Sequence, residues 1–324
     1  MKHIPAPQCD KIKTGYIYSD IYNKRIDQRE VDSFSNIHRA KIVDGELVFK
    51  NEDIFSQALV DGLFYLKIPD WINVSECEIF SDNFYKEREE HHYGGYRKIN
   101  SVRFNDPLLG FHQRTNQIEQ FLLERRYWKE IYPDVILQAG ENFTILSKII
   151  IDSVLRKTDI PADEWEKVTG GCSACSGSYH FTFNHYRPEE EGLGLASHKD
   201  DGFLTILYNK EEGLEINNSD KWEKVLPLPG YLIINFGLSM EILTCDCAMP
   251  VKSILHRVRH QLKDRSSFGH FTSSNCMEGR DAGIYRYSSA QGVDKLCNSR
   301  TLINANDHEI YDGTLPPAEG EMNG

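Results

Sequence analysis

The chain has 324 residues, 40% hydrophobic and 27% charged, with a formal net charge of −12 and a pI near 5.5. That is enough apolar material for one large domain, while the acidic balance excludes a nucleic-acid backbone as the main partner, because phosphate binding needs a basic face. No apolar run is long enough to cross a bilayer, and the start MKHIPAPQCDKIKTGY lacks the apolar centre of a secretory signal, so a cytoplasmic protein with no membrane partner is expected.

Residues 1–35 are polar, rich in tyrosine and weakly periodic, and read as an N-terminal arm. Residues 36–178 read as strands and supporting helices. HRAKIVDGELVF predicts a strand with a turn at Asp44-Gly45, followed by a short helix and a strand LFYLKI stopped by Pro69-Asp70. Residues 115–158 carry a helical pattern that Pro133 breaks into two segments. In the second segment Phe143, Leu146, Ile150 and Val154 recur at spacings of three and four, one apolar face for packing on a sheet. The close cysteine pairs Cys172/Cys175 and Cys245/Cys247 lie too far apart for a zinc knuckle and read as free thiols of a reducing compartment.

From about 179 to 276 the texture changes. SYHFTFNHYRP, FLTILYN, GLEINN, WEKVLPLP, GYLIINFG, MEILT, VKSILHRVRH and SSFGHFTSS are short β-branched and aromatic runs cut by turn residues, each predicting a strand. The expected fold class is mainly β with flanking helices: a double-stranded β-helix, or jelly roll, over 179–276, backed by the preceding α-helices. Together with a C-terminal segment 277–324 this makes a single catalytic domain over 1–324. The end, LPPAEGEMNG, reads as a disordered tail.

The chemistry starts at ASHKDDGFLTI. In an extended chain His198 and Asp200 share a face and Asp201 points away. One nitrogen and one oxygen converging there is half of a metal site; the bland reading is an exposed polar turn. SILHRVRH offers a third ligand, His256 or His260, which strand parity leaves open. Arg265 and Ser267 share a face and form a receptor for a small carboxylate. Asn184 and Tyr186 likewise share a face. Two histidines and a carboxylate leave three adjacent metal positions open, the arrangement of non-haem Fe(II) oxygenases.

In order and spacing, the N-x-Y of Asn184 and Tyr186, the H-x-D of His198 and Asp200, the SILHRV of His256 and the R-x-S of Arg265 and Ser267 resemble the isopenicillin N synthase-like branch of the Fe(II)/2-oxoglutarate-dependent dioxygenases. His256 follows His198 by 58 residues, and Arg265 follows His256 by nine. The likeness is dense over 180–275 and looser over 40–160. It implies Fe(II) on His198, Asp200 and His256, leaving Asp201 as a solvated turn residue and His260 as a strand-edge polar group. It also implies 2-oxoglutarate and O2 as co-substrates. The far carboxylate of 2-oxoglutarate would sit on Arg265, with Ser267, Tyr186 and Asn184 around it. The implied outcome is succinate, CO2 and oxidation of a C–H bond by hydroxylation, desaturation or ring closure. A carboxylate at position 200 argues against halogenation. Two loops, TCDCAMPVKSIL and RPEEEGLGLAS, depart from the plant members of the branch.

The resemblance implies a small-molecule substrate, a specialised metabolite. Parity along the last core strand places Phe271 in the pocket, and family positions add Thr205, Tyr96 and Arg97. Arg97 would favour a carboxylate-bearing or amino-acid-derived substrate; its other reading is a solvated loop residue. His91 and His92 read as polar loop. Two rival readings remain: an Fe(II) oxidase of the same branch that uses no 2-oxoglutarate, and a non-catalytic jelly-roll binding protein. The oligomeric state is open, and a monomer suffices for everything read here.

Overall fold

A computed structural model describes residues 31–311, apart from 32, 115, 219 and 220. Most of the expected N-terminal arm and all of the expected disordered tail lie outside the described residues. Strands β1 (Arg39–Val43) and β2 (Glu46–Val48) form a hairpin whose turn residues, Asp44 and Gly45, have φ of 50° and 75°, the paired left-handed geometry that suits right-twisted strands. Helix α1 (Glu52–Asp61) is capped by the Asn51 side chain, which accepts from the Ile54 amide, and ends at left-handed Gly62. Then come β3 (Leu63–Lys67), α2 (Ser75–Ser81), β4 (Gly110–Gln113), β5 (Ile118–Glu124), α3 (Trp128–Ile131), α4 (Asp134–Leu155) and α5 (Trp165–Val168).

The core follows with β6 (Ser178–Tyr186), β7 (Leu195–His198), β8 (Leu204–Asn209), β9 (Leu214–Asn218), β10 (Lys221–Lys224), β11 (Tyr231–Phe236), α6 (Leu238–Thr244), β12 (His256–Val258) and β13 (Arg265–Ser273). A hairpin of β14 (Ile284–Ser288) and β15 (Gly292–Cys297) and helix α7 (Ser299–Tyr311) close the described chain. Nine strands form the large sheet, in the order β2-β1-β3-β11-β8-β13-β6-β5-β4, and four form the small one, β10-β9-β12-β7. This is the expected β architecture with flanking helices. A cavity between the sheets is lined from the large sheet by Thr182, Asn184 and Phe271 and from the small sheet by Leu195 and His198.

Helix α4 backs the large sheet. Its Phe143, Leu146, Ile150 and Val154 are all buried, as their spacing predicts, and the Phe143 ring lies 5.8 Å from Phe181 and 6.1 Å from Phe268. No helix among the described residues is long and apolar enough to cross a membrane.

Three expected elements come out differently. Residues 118–124 form strand β5, not the first half of a helical pair. IEQFLLE has helix-compatible residues, but β6 needs a partner along its whole edge, and β5 pairs with it from Ile118↔Tyr186 to Glu124↔His180. Long-range pairing overrides local propensity there. MEILT lies inside helix α6. A short apolar run has no period that separates strand from helix, and here the amides of Leu238 and Ser239 are drawn to the carbonyls of Asp200 (2.7 Å) and Asp201 (3.1 Å). The strand expected in VKSILHRVRH shortens to His256–Val258.

His270 on β13 is fully buried beneath α4. Its Nε2 lies 3.0 Å from the Thr144 hydroxyl, its Nδ1 has no hydrogen-bond partner among the described residues, and the Trp128 ring is 5.9 Å away. Burial lowers its pKa to about 3, and burial lowers that of His180 to about 4. Both folded values lie below the unfolded value near 6.5, so the unfolded chain binds more protons as pH falls. Their contribution to the stability of the metal-free protein is therefore fully present above about pH 6.5 and is lost towards pH 4. Thermal melts across that window should show Tm falling with pH, and the fall should be shallower in His270→Phe, which removes one of the protonation sites.

Candidate metal centre

The short strand β12 is held between β9 and β7, with His256 opposite His198 and also opposite Ile216. Arg257, next in sequence, points to the other face. Its Nε bonds the Glu215 carboxylate at 2.8 Å, and its guanidinium lies 4.1 Å from the Trp222 ring centre. This buried ion pair clamps β12 to β9 and so sets the height of His256. Asp200 lies just beyond the end of β7. The loop behind it packs so closely that a Cβ on Gly202 would stand 2.4 Å from the Thr272 carbonyl oxygen. Only glycine fits there, which explains the residue after the two aspartates.

Each ligand-type side chain has one polar atom committed to the protein and one turned inward. The Nδ1 of His198 lies 2.8 Å from the Ala196 carbonyl, and that of His256 lies 3.1 Å from the Ile254 carbonyl. A carbonyl only accepts, so both Nδ1 atoms donate and both Nε2 atoms are left facing inward. Asp200 Oδ2 accepts from Thr205 Oγ1 at 2.5 Å and from Asn235 Nδ2 at 2.6 Å. Its Oδ1 is left facing His198 Nε2 at 3.5 Å and His256 Nε2 at 3.7 Å. Among the described residues these three form the group able to hold a metal ion.

The electrostatics suit a cation. Burial would raise the Asp200 carboxyl, but the His256 and His198 imidazoles and the Thr205 hydroxyl outweigh it and hold it well below the usual carboxylate range. Burial and neighbouring His198 lower His256 to about 4, so its imidazole is neutral at pH 7. Two imidazole nitrogens and one carboxylate oxygen facing one another are the donor set of a facial Fe(II) site.

Arg265 lies on β13 opposite Tyr186, and Ser267 opposite Asn184. Its guanidinium lies 4.6 Å from the Tyr186 ring centre, and Nε donates to the Glu212 carbonyl at 3.1 Å. Arg265 is 2% exposed, and its Nη1 has no hydrogen-bond partner among the described residues. A buried cation without a counter-charge is costly, so the site fits a small carboxylate. Asn184 joins this end to the cavity: it lines the wall, and its Nδ2 reaches Ser267 Oγ at 3.4 Å.

Comparison with known proteins agrees with this donor set. Residues 177–274 match the family model described as the 2OG-Fe(II) oxygenase superfamily. Over that stretch the chain is similar to that superfamily. Protein DMR6-LIKE OXYGENASE 1 of Arabidopsis thaliana is 27% identical over 216 residues, 60% of this chain and 59% of the relative. Protein SRG1, from the same plant, is 33% identical over 146 residues, 43% and 39% respectively. The matched region thus spans less than two thirds of these curated relatives. Among solved structures, JOX2 in complex with 2OG, Fe and JA superposes with a TM-score of 0.62 at 18% identity, covering 93% of this chain and 98% of that one. The Arabidopsis thaliana dioxygenase for auxin oxidation 1, bound to 2-oxoglutarate, gives 0.52 at 21% identity, covering 73% and 92%. These likenesses show a shared jelly-roll fold.

The fold brings His198, Asp200 and His256 together, and Arg265, Ser267, Tyr186 and Asn184 near one another. Phe271 lines the cavity. Three other expectations need correction. Thr205 is not a wall residue; its hydroxyl is spent on Asp200. Tyr96 is packed in the core, 4.8 Å from the Phe80 ring and 4.9 Å from Phe121. Arg97 bonds Glu119 at 2.9 Å, on the face of β5 opposite Gln120, which lines the cavity. Glu119 also bonds His185, whose ring stacks on Tyr85. The loop carrying Tyr96 and Arg97 therefore supports the outer face of the sheet.

Asp201 departs from its expected place as a solvated turn residue. It is half-buried and lines the cavity, and burial together with Asp200 pushes its carboxyl up to about 7. His260 is exposed and bonds the Gly192 carbonyl, as a strand-edge group would. The sequence reading missed Asn235, whose amide steadies Asp200. Asn235 pairs with Thr205 across β11 and β8, a contact that no short motif carries.

Thr205→Val and Asn235→Leu should each weaken Fe(II) or Mn(II) binding by about ten- to a hundredfold, because the carboxylate loses the partner that aims Oδ1. Calorimetric titration under anaerobic conditions measures this. Arg97→Ala should leave metal affinity unchanged while lowering Tm, because Glu119 loses a partner.

Proposed function

We propose that this protein is an Fe(II)/2-oxoglutarate-dependent oxygenase that oxidises a C–H bond of a small molecule. The observation that carries the proposal is Arg265, a buried guanidinium with an unpartnered Nη1, built into the same barrel as the His198, Asp200 and His256 donor set. A metal-binding barrel alone has no use for that cation; a dicarboxylate co-substrate does.

The residues divide the work. His198 and His256 turn their Nε2 atoms inward because backbone carbonyls hold their Nδ1 protons. Asp200 presents Oδ1 because Thr205 and Asn235 hold Oδ2. Fe(II) bound there supplies a redox-active centre with positions left open for the co-substrate and dioxygen. Arg265 holds the far carboxylate of 2-oxoglutarate through paired N–H donors, with Tyr186 behind the guanidinium and Ser267 beside it. Asn184, hydrogen-bonded to Ser267, fixes that hydroxyl and forms part of the wall. Leu195, Ile118 and Phe271 surround the substrate space with apolar surface, which limits water near the reacting carbon. In the hydroxylation form, substrate, 2-oxoglutarate and O2 become hydroxylated substrate, succinate and CO2; one oxygen atom enters each of the first two products. Desaturation and ring closure start from the same hydrogen abstraction. A role in specialised metabolism is the setting we assign.

Anaerobic addition of Fe(II) and then 2-oxoglutarate to the metal-free protein should give a weak visible charge-transfer band. Arg265→Ala should raise the 2-oxoglutarate concentration needed for that band by at least tenfold, because breaking a buried charge pair costs about 2–5 kcal/mol. Fe(II) binding without a band would replace this reading with an oxidase that takes no 2-oxoglutarate. Failure to bind Fe(II) would remove the enzyme reading altogether.

A further inference from the structure

The substrate end of the cavity lies away from Arg265 and is walled by β6 and by helix α7. Its polar groups were not part of the sequence motifs. Thr182 on β6 is 1% exposed and lines the cavity, and its Oγ1 has no hydrogen-bond partner among the described residues. Asn306 on α7 is 2% exposed. It lines the cavity too; its Nδ2 donates to the Lys199 carbonyl at 2.9 Å, its side chain also bonds Asp201, and its Oδ1 has no hydrogen-bond partner among the described residues. Buried polar atoms are almost always satisfied. Two orphans in one wall mark a place where something else completes the bonding.

The charges nearby say which kind of group that is. Arg114 is the cation of the lining, and it is engaged: Nε bonds Gln120 at 3.1 Å, and Nη2 lies 3.8 Å from Asp307. Asp201 and Asp307 add two carboxyls to the same lining, and His180 is held neutral by burial. What the wall leaves to a ligand is the pair of oxygens without a partner among the described residues, Asn306 Oδ1 and Thr182 Oγ1. Asn306 Oδ1 can only accept, and Thr182 Oγ1 can accept as well as donate. The remainder is apolar, with Leu108, Leu122, Ile303 and Ile310.

We infer that Thr182 and Asn306 determine specificity by receiving a hydrogen-bond donor, a hydroxyl or an ammonium group, carried on an apolar substrate body. The inference deepens the oxygenase reading and rests on it for the word substrate; the binding chemistry rests on the cavity alone. It replaces the carboxylate preference that Arg97 suggested, because Arg97 lies outside the cavity. A site built around unpaired acceptors rejects a molecule that lacks the donor, since those groups then stay buried and unsatisfied.

The test uses four probes with a phenyl body: 2-phenylethanol, 2-phenylethylamine, ethylbenzene and phenylacetate. Dissociation constants are measured by calorimetry on the full chain, first metal-free and then with Fe(II) and 2-oxoglutarate without oxygen. One or both donor probes should bind about tenfold tighter than ethylbenzene and phenylacetate. The alcohol and the amine separate a neutral from a cationic donor. Thr182→Val should erase most of that advantage. It removes no hydrogen bond of the fold, so it should melt with the parent. Asn306→Leu should act in the same direction and serves as the second variant. The inference is overturned if ethylbenzene or phenylacetate binds as tightly as the donor probes, if neither donor probe binds at millimolar concentration, or if the advantage survives in both variants. Fe(II) failing to bind while the metal-free protein keeps its donor preference would sink the oxygenase reading and leave this one standing.

Discussion

The site depends on how one carboxylate is divided. Asp200 gives Oδ2 to Thr205 and Asn235 and keeps Oδ1 for the two imidazoles. Those two donors aim it, while the His256 and His198 imidazoles, with Thr205, keep it charged against its own burial. The large sheet supplies both donors, Thr205 from β8 and Asn235 from β11, while the small sheet supplies both histidines. The centre therefore exists only where the two sheets face each other, and its donor geometry reports the packing of the whole barrel.

Other features serve the same constraint. The buried Arg257–Glu215 pair fixes β12 against β9, the Gly202 contact brings the Asp200 loop against β13, and the amide of Leu238 at the start of α6 holds the Asp200 carbonyl. The carboxylate receptor at Arg265 belongs to the large sheet alone, held on β13 beside β6. The metal donors and the anion receptor are thus set by different pairings, linked through Asn184 and Ser267. A change on one side can weaken one function while sparing the other, which makes the two separable by titration.

Legibility followed the range of the contacts. The H-x-D pair, the histidine in SILHRV and the R-x-S pair are local patterns, and period-two alternation places each pair on one face. They could be read directly, as could the turn at Asp44-Gly45 and the apolar face of α4. The helix expected at 118–124 failed because strand β5 is stabilised by its neighbour, not by its own residues. Asp201 failed for a related reason: alternation sends it away from Asp200, but the chain leaves the strand after His198, and the turn carries Asp201 back into the cavity wall. Arg97 and Tyr96 failed because a family position says nothing about which face of a sheet a loop will cover.

The sequence by itself determined the donor types, their order and their strand parity, and from these the class of chemistry. These are properties of a few covalent neighbours and of the two-residue period of an extended chain. Only the tertiary structure decided which oxygen of Asp200 is free, which loop arginine is outside, and which groups of α7 and β6 line the cavity. Those answers depend on pairings between segments tens to more than a hundred residues apart, and the free energy of such contacts is set by burial and partner geometry, which no local pattern encodes.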